Sequence, residues 1–151
     1  MERVQHSIEP QVRYLYVPDK DQDELPLFDL KDRIQQQNVI EYALVNRLVG
    51  RYTRANGMAS YRELLNLRLS QRYDIDEERN NSSGTDRPFS DLRVEIDLRP
   101  TEYLSFEADS LVPVYGDNEF RRLTMSATAR DEKGNAVKLD YVYKDEDFES
   151  T

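Results

Sequence analysis

The sequence of 151 residues contains no cysteine, no tryptophan and a single histidine, His6. The lack of cysteine excludes disulfides, thiolate metal sites and cysteine-based catalysis. One histidine cannot supply a histidine-based triad or a multi-histidine metal site, and we interpret His6 as a strand residue near a membrane interface. We therefore expect no cofactor and no enzymatic activity.

Long apolar runs are absent as well. No stretch approaches the ~20 apolar residues of a transmembrane helix. Residues 1–6 lack the basic and apolar regions of a signal peptide. For an outer-membrane protein we therefore expect the signal to lie upstream and the chain to be a fragment; a cytoplasmic protein is the alternative at this point.

Basic residues are outnumbered by acidic ones, 21 to 30, which gives a net charge of −9. This balance argues against nucleic-acid binding, which needs a basic surface. Sixteen of the basic residues are arginine, whose planar group suits fixed pairs with carboxylates and phosphates. Hydrophobic residues amount to 38%. That is low for a soluble core but ordinary for a membrane barrel, whose strands each have one apolar face.

The dominant pattern is alternation with a period of two. Between Tyr61 and Ile75, apolar residues occupy one parity, interrupted by Glu63 and Gln71, and polar or charged residues occupy the other, interrupted by Leu64. Successive side chains of a strand point to opposite faces, so the segment is a ribbon with an apolar and a charged face. The same pattern predicts seven strands, near residues 4–17, 38–54, 60–75, 90–100, 102–113, 119–130 and 135–145.

The links between these strands alternate in length. Asn56-Gly57 and residues 131–135 are tight-turn signals, and Pro100-Thr101 leaves almost no loop. The longer links are residues 18–37, 76–89 and 114–118. In an up-and-down meander, alternate links lie at the same end of the sheet. All the longer links therefore share one end and all the tight turns share the other. Outer-membrane barrels show the same asymmetry, with long loops on one side and short turns on the other.

We therefore predict an all-β fold, an antiparallel up-and-down meander of about seven strands that is part of a larger transmembrane β-barrel. The long links would face the cell exterior. The tight turns at Asn56-Gly57, Pro100-Thr101 and Gly134-Asn135 would face the periplasm.

A series of short motifs runs in order along almost the whole chain. It comprises His6-Ser7-Ile8-Glu9-Pro10, Tyr14–Pro18, Asp21–Asp29, Asp32-Arg33-Ile34, Asn38–Leu48, Leu69–Asp74 and Arg87–Leu92. Each motif alone is weak, but the ordered series resembles the LptD family of lipopolysaccharide-assembly outer-membrane proteins, also called organic solvent tolerance proteins.

The resemblance implies a part of the translocon that inserts lipopolysaccharide into the outer leaflet of the Gram-negative outer membrane. Its implied partners are lipopolysaccharide, outer-membrane lipids, a plug lipoprotein (LptE) inside the barrel, and a periplasmic bridge protein (LptA) that delivers substrate to an N-terminal β-jellyroll. Residues 1–151 would be a partial barrel domain without signal, jellyroll or remaining strands. The alternatives are another porin or receptor barrel, or a soluble lipocalin-like ligand-binding barrel, which encloses its apolar face.

The two faces supply candidate site residues. We expect a first set to line a hydrated lumen and to contact a plug or a glycolipid headgroup: Arg47, Arg51, Arg62, Asn66, Arg68, Arg72, Arg93, Glu95, Asp97 and Arg99. We expect a second set to face lipid: Leu65, Leu67, Leu69, Leu92, Val94, Ile96, Leu98, Leu139 and Tyr141. Alternatively, the first set only forms cross-strand pairs, each worth ~0.2–1 kcal/mol. We interpret the acidic run Asp19–Glu24 as a solvated loop, because it lacks the glycine and closing glutamate of a calcium loop.

Overall fold

The computed structural model describes residues 3–20, 35–54, 56–79, 87–116 and 120–145. It contains seven strands and one helical turn: β1 (Arg3–Val17), β2 (Gln37–Thr53), β3 (Ala59–Asp74), α1 (Ile75–Arg79), β4 (Leu92–Leu98), β5 (Leu104–Val112), β6 (Arg122–Arg130) and β7 (Ala136–Lys144). The strands form one antiparallel sheet in chain order. This confirms the predicted all-β meander, with strand ends within three residues of the predicted ones.

The sheet is open, because β1 and β7 lie at its two edges and do not pair with each other. The single helix of the described residues, α1, has five residues. No helix in the described part of the chain is long and apolar enough to cross a membrane.

Two tight turns share one hairpin geometry. In the first, the Arg54 amide donates to the Met58 carbonyl at 2.9 Å, and Gly57 has a φ of +77°. In the second, the Asp131 amide donates to the Asn135 carbonyl at 2.9 Å, and Gly134 has a φ of +87°. This is the turn closed by a glycine bulge that the sequence predicts for residues 131–135. At 56–57 only the glycine adopts positive φ.

The third tight link is longer than predicted. It covers residues 99–103, because β4 ends at Leu98 and β5 begins at Leu104. Pro100 has no N–H to donate to a strand neighbour, and Thr101 Oγ1 accepts a hydrogen bond of 3.2 Å from the amide of Tyr103. All three short links have five residues and lie at the end of the sheet opposite the longer links 18–36, 75–91 and 113–121.

A β-bulge interrupts β3. Leu48 of β2 lies opposite Leu65, but the next residue of β2 lies opposite Glu63, which leaves Leu64 without a partner on β2. An extra residue reverses the alternation beyond it. The bulge therefore moves Glu63 to the charged side of β3 and Arg62 to the apolar side. It coincides with the two successive interruptions of parity in the sequence.

Few apolar residues are buried within the described part of the chain. They are Val39, Ala43 and Val45, which are at most 9% exposed and lie on one side of β2. Other large apolar side chains are open to the surroundings, including Val12 at 76% and Leu139 at 70% exposure. The described sheet therefore has no apolar core of its own on its other side.

Candidate functional site on the two faces of the sheet

The strand register divides the residues between two faces. Residues directly opposite each other in neighbouring strands share a face. One such row contains Leu67, Ile96, Ala108, Met125 and Tyr141. We call the side of this row the apolar face and the opposite side the charged face.

The register places the candidate residues as follows. All nine expected to face lipid lie on the apolar face: Leu65, Leu67, Leu69, Leu92, Val94, Ile96, Leu98, Leu139 and Tyr141. Eight of those expected to line a lumen are strand residues on the charged face: Arg47, Arg51, Asn66, Arg68, Arg72, Arg93, Glu95 and Asp97. Arg99 follows β4 and pairs with Asp97 at 2.9 Å and Glu107 at 3.7 Å, both on the charged face.

Arg62 is the exception. The bulge at Leu64 places it opposite Gly50, on the apolar face. This corrects the expectation that Arg62 shares a face with Arg68, which rested on unbroken alternation through β3.

Hydrogen bonds and ion pairs cross the charged face from strand to strand. Arg68 of β3 donates to Gln11 of β1 at 3.0 Å and pairs with Glu95 of β4 at 3.6 Å. Arg93 of β4 then connects Glu95, at 3.3 Å, with Asp109 of β5, at 2.8 Å. The candidate residues therefore do form the cross-strand pairs of the simpler interpretation.

Asp109 joins two guanidinium groups. Arg93 Nε lies 2.8 Å from one carboxylate oxygen, and Arg122 Nη2 of β6 lies 2.7 Å from the other. The Asp109 side chain is 26% exposed, so solvent screens these pairs less than it screens fully exposed ones. The network of contacts thus extends from β1 to β6.

A second cluster lies nearer the tight turns. Arg47 of β2 is 3.3 Å from Glu9 of β1 and 3.0 Å from Glu63 of β3. Glu63 is available to Arg47 only because of the bulge, since unbroken alternation would place it on the apolar face.

Long side chains cover small ones on β2. Ala43 lies between Gln11 and Ser70 in the register, and Val45 lies between Glu9 and Arg68. The Arg68–Gln11 hydrogen bond therefore spans β2, which accounts for the burial of Ala43 and Val45 on a charged face.

Beside this bridge is a cavity of about 730 Å³. Its polar lining includes Gln11, Arg13, Glu41, Arg68, Arg72 and Arg93. Its size lies within the range of ligand pockets, ~300–1,000 Å³. Arginine forks suit phosphate and carboxylate groups, so the cavity can hold a polar, anionic group.

The apolar face is exposed and almost uncharged. Arg62 is its single Asp, Glu, Lys or Arg among the residues of the seven strands. Towards the long links the face carries Tyr14 and Tyr73, and the Tyr73 ring lies 5.0 Å from that of Phe89. Towards the tight turns it carries Tyr52. Soluble monomers rarely expose an apolar surface of this extent, so the face indicates contact with lipid or protein.

Polar contacts bound the apolar face at the long-link end. Asn38 of β2 accepts a hydrogen bond from the Tyr14 hydroxyl at 2.9 Å and donates to Asp76 of α1 at 2.8 Å. Asp91 and Arg121 connect two of the longer links at 2.8 Å. The acidic run Asp19–Glu24 lies outside the described residues from position 21 onwards. No group of three or more potential metal ligands occurs within the described ranges.

Several residues that make contacts on the charged face are not among the sequence-derived candidates, and Asp109, Glu63 and Arg122 are three of them. The alternation of β5 already predicts the position of Asp109. Ala108 lies on the apolar face, so the next residue, Asp109, lies on the charged face. Glu63 was hidden by the bulge. Arg122 could not be assigned to a face from the sequence, because two consecutive arginines, Arg121 and Arg122, leave the alternation of β6 ambiguous. The structure shows that β6 begins at Arg122 and that Arg121 precedes it.

Comparison with known proteins decides the family. The family model of LPS transport system D, LptD, matches residues 1–151. The chain belongs to the LptD family. The family is that of a transport component, as the ordered series of motifs indicated.

One relative is the LPS-assembly protein LptD of Vibrio cholerae serotype O1. It is 26% identical over 124 residues, a match that covers 66% of this chain and 15% of the relative. The chain therefore spans a small part of the length of that LptD protein.

Proposed function

We propose that the chain forms seven neighbouring strands in the outer-membrane barrel of an LptD-family protein. The apolar face contacts lipid, and the charged face lines a hydrated lumen that serves the insertion of lipopolysaccharide into the outer leaflet. The segregation of the two faces carries this proposal. One face leaves large apolar side chains exposed around a single charge, and the other is crossed by ion pairs.

The dimensions of the strands support a membrane location. β5, β6 and β7 each have nine residues, and a tilted transmembrane strand needs ~9–11. On β3, Arg62 and Tyr73 are eleven residues apart. The bulge adds one residue without lengthening the strand, so ten residues contribute to the distance between them. At ~3.3 Å per residue and ~45° of tilt, the two lie ~23 Å apart in height, close to the ~25 Å apolar band of such barrels.

The alternatives fit less well. A soluble lipocalin-like barrel encloses its apolar face, whereas this sheet is open and leaves large side chains of its apolar face exposed, such as Val12 and Leu139. A porin or receptor barrel would have the same two faces, and the family match favours lipopolysaccharide transport over it.

The family resemblance adds two protein partners to the proposal. A plug lipoprotein, LptE, would contact the charged face, where the cavity beside the Arg68–Gln11 bridge offers polar groups to it or to a lipopolysaccharide headgroup. The bridge protein LptA would dock on a β-jellyroll, a different fold from this sheet, so we assign none of these residues to it.

Two adjacent residues of β3 test the assignment of the faces. Leu69 lies on the apolar face and Ser70 on the charged face, and neither substitution removes an ion pair. In the full-length protein in its membrane, we expect Ser70→Cys to react with a small water-soluble maleimide and Leu69→Cys to be protected by lipid. Reaction at Leu69→Cys with protection at Ser70→Cys would place the apolar face in water and refute the membrane assignment.

The same pair tests the transported substrate. A photoreactive amino acid at position 70 should form adducts with lipopolysaccharide in living cells, and one at position 69 should form adducts with phospholipid. A barrel of porin type would give no lipopolysaccharide adduct at position 70.

The orientation is tested at the two ends of the sheet. Val114 is 46% exposed in a longer link, and Asn56 lies in a tight turn. An impermeant maleimide should label Val114→Cys on intact cells and leave Asn56→Cys unlabelled. The opposite result would invert the proposed topology.

A further inference from the structure

Arg62 interrupts the apolar face near the tight turns. Its Nη2 donates to the Tyr52 hydroxyl at 2.7 Å and to the Pro100 carbonyl at 3.2 Å. Its guanidinium carbon lies 4.5 Å from the centroid of the Tyr52 ring. Its Nε is buried without a hydrogen-bond partner, and no ion pair joins it to a carboxylate among the described residues. Arg62 is thus a fixed cation whose charge is not neutralised there.

Two local features of the backbone create this arrangement. The bulge at Leu64 turns Arg62 to the apolar face. Gly50, directly opposite, leaves space for the aromatic ring, because a Cβ there would lie 3.0 Å from Tyr52 Cε2 and 3.2 Å from Leu64 Cδ1. A glycine inside a strand often marks such a close approach. The Tyr52 ring therefore lies over Gly50 and supports the guanidinium from one side.

The level of Arg62 in the membrane follows from β3. A cation on the lipid side of a barrel is costly at the midplane and nearly free of cost near the interface. Arg62 lies ~23 Å in height from Tyr73, which is about the thickness of the apolar band. Its guanidinium is therefore at the level of the lipid headgroups on the tight-turn side.

We propose that Arg62, positioned by Tyr52, binds the phosphate of a phospholipid in the leaflet on the tight-turn side. This rests on the proposed function, which places the apolar face in lipid. Phosphate suits the planar guanidinium. A phospholipid is favoured over free phosphate because the neighbouring row of Leu48, Leu65 and Leu98 offers an apolar surface to its acyl chains.

Two photoactivatable phosphatidylglycerols test the proposal, one reactive in the headgroup and one at the end of an acyl chain. The full-length protein is reconstituted in phosphatidylcholine vesicles with either probe, as wild type, Arg62→Met, Arg62→Lys and Arg130→Met. Arg130 is a matched control, since it ends β6 near the same tight turns but lies on the charged face. Heat-modifiable migration on a gel establishes that each variant is folded.

We expect Arg62→Met to reduce headgroup crosslinking near residues 54–62 about tenfold, as for the loss of a charge-assisted hydrogen-bonded pair. Arg62→Lys should reduce it less, because it keeps the charge but not the fork. Arg130→Met should leave it unchanged. Acyl-chain crosslinking to Leu67 and Ile96 should be the same in all four proteins.

The outcomes separate this proposal from the one on which it rests. Unchanged headgroup crosslinking in folded Arg62→Met, with acyl-chain crosslinks intact, would overturn the phospholipid site alone. Absence of acyl-chain crosslinks in the wild type would overturn the membrane assignment itself. Loss of the wild-type headgroup signal when inorganic phosphate is added would identify a site for free anions and also overturn the proposal. If Arg62→Met fails to fold, an Arg62→Lys protein that crosslinks headgroups like the wild type would contradict the proposed recognition of phosphate by the guanidinium of Arg62.

Discussion

Replacing Asp109 by asparagine should destabilise the barrel more than any other single loss of charge on the charged face of these strands. Asp109 accepts from Arg93 at 2.8 Å and from Arg122 at 2.7 Å, one on each oxygen. Asparagine keeps one acceptor oxygen but removes the negative charge. Two guanidinium groups would then lie close together without the carboxylate between them.

The size of the effect follows from exposure. A hydrogen bond to a charged group contributes ~1.5–3 kcal/mol when it is well buried, and an exposed ion pair ~0.2–1 kcal/mol. The side chains of Asp109, Arg93 and Arg122 are 26%, 47% and 36% exposed, which places each pair towards the lower range. Two pairs together give an expected loss of ~1–2 kcal/mol in the free energy of unfolding.

Urea unfolding of the full-length protein in lipid vesicles measures this loss. The matched control is Asp140→Asn, whose partner Lys138 lies at 2.9 Å on the same strand, with both side chains more than half exposed. We expect it to cost less than ~0.5 kcal/mol. A double-mutant cycle with Arg122→Met should give a coupling of ~0.5–1 kcal/mol with Asp109→Asn. Equal effects of the two asparagine variants would refute the idea that Asp109 holds β4, β5 and β6 together.

Three further predictions concern the chain as a whole, Gly50 of β2 and the turn at Asp131. The isolated chain of 151 residues should be insoluble without detergent, because β1 and β7 are unpaired edges beside an exposed apolar face; a monodisperse folded monomer in plain buffer contradicts this. Gly50→Ala should displace the Tyr52 ring and weaken headgroup crosslinking as Arg62→Met does; unchanged crosslinking in the folded variant would contradict the support of Arg62 by this ring. Hydrogen bonds from the side chain and backbone of Asn135 lower the pKa of Asp131, so the charged carboxylate stabilises this turn. Protection of the turn's amides from hydrogen exchange should therefore be complete above the ordinary aspartate pKa of ~3.9. It should be lost as the pH falls below that value. Asp131→Ala should remove that pH dependence, and a turn that keeps its acid transition in this variant excludes Asp131 as the cause.

The positions of the strands were predictable because each strand has one polar and one apolar side. Alternation such as Leu92, Val94 and Ile96 against Arg93 and Glu95 has the period of a strand and not of a helix. The sequence also predicts the register of a hairpin where a glycine fixes the turn, as at Gly134. Registers across the longer links, such as that of β3 with β4, depend on contacts between distant residues, and no local signal sets them.

The assignment of residues to the two faces was predictable to the same extent. It fails at one point, and the failure has a physical reason. Parity assigns a side chain to a face only while the backbone alternates regularly. The bulge at Leu64 adds one residue, so every assignment between it and the turn reverses, including that of Arg62. Contacts that span a strand, such as Arg68 with Gln11, require the register of three strands and are hidden from any pattern within one of them.

The balance of charge on the charged face bears on the transport function proposed for it. Within the seven strands this face carries eleven Arg or Lys residues and nine Asp or Glu residues, although the chain as a whole has a net charge of −9. The whole acidic excess therefore lies in the links and chain ends, since the strands themselves carry more basic than acidic residues. Under the proposed function, a phosphorylated headgroup that meets this face would encounter arginines such as Arg68, Arg93 and Arg122, which already have carboxylate partners.

Passage through a protein requires binding that is favourable enough for entry and weak enough for release. Arg93 has two carboxylate partners, at 2.8 and 3.3 Å, and exchanging both for a phosphate would gain little. Arg72 has a looser pair, at 3.7 Å from Asp74, and it lines the cavity beside the Arg68–Gln11 bridge. Under the proposed function, Arg72 would therefore be transferred to a passing headgroup more readily than Arg93, while the pairs around Asp109 would hold together the wall of the lumen.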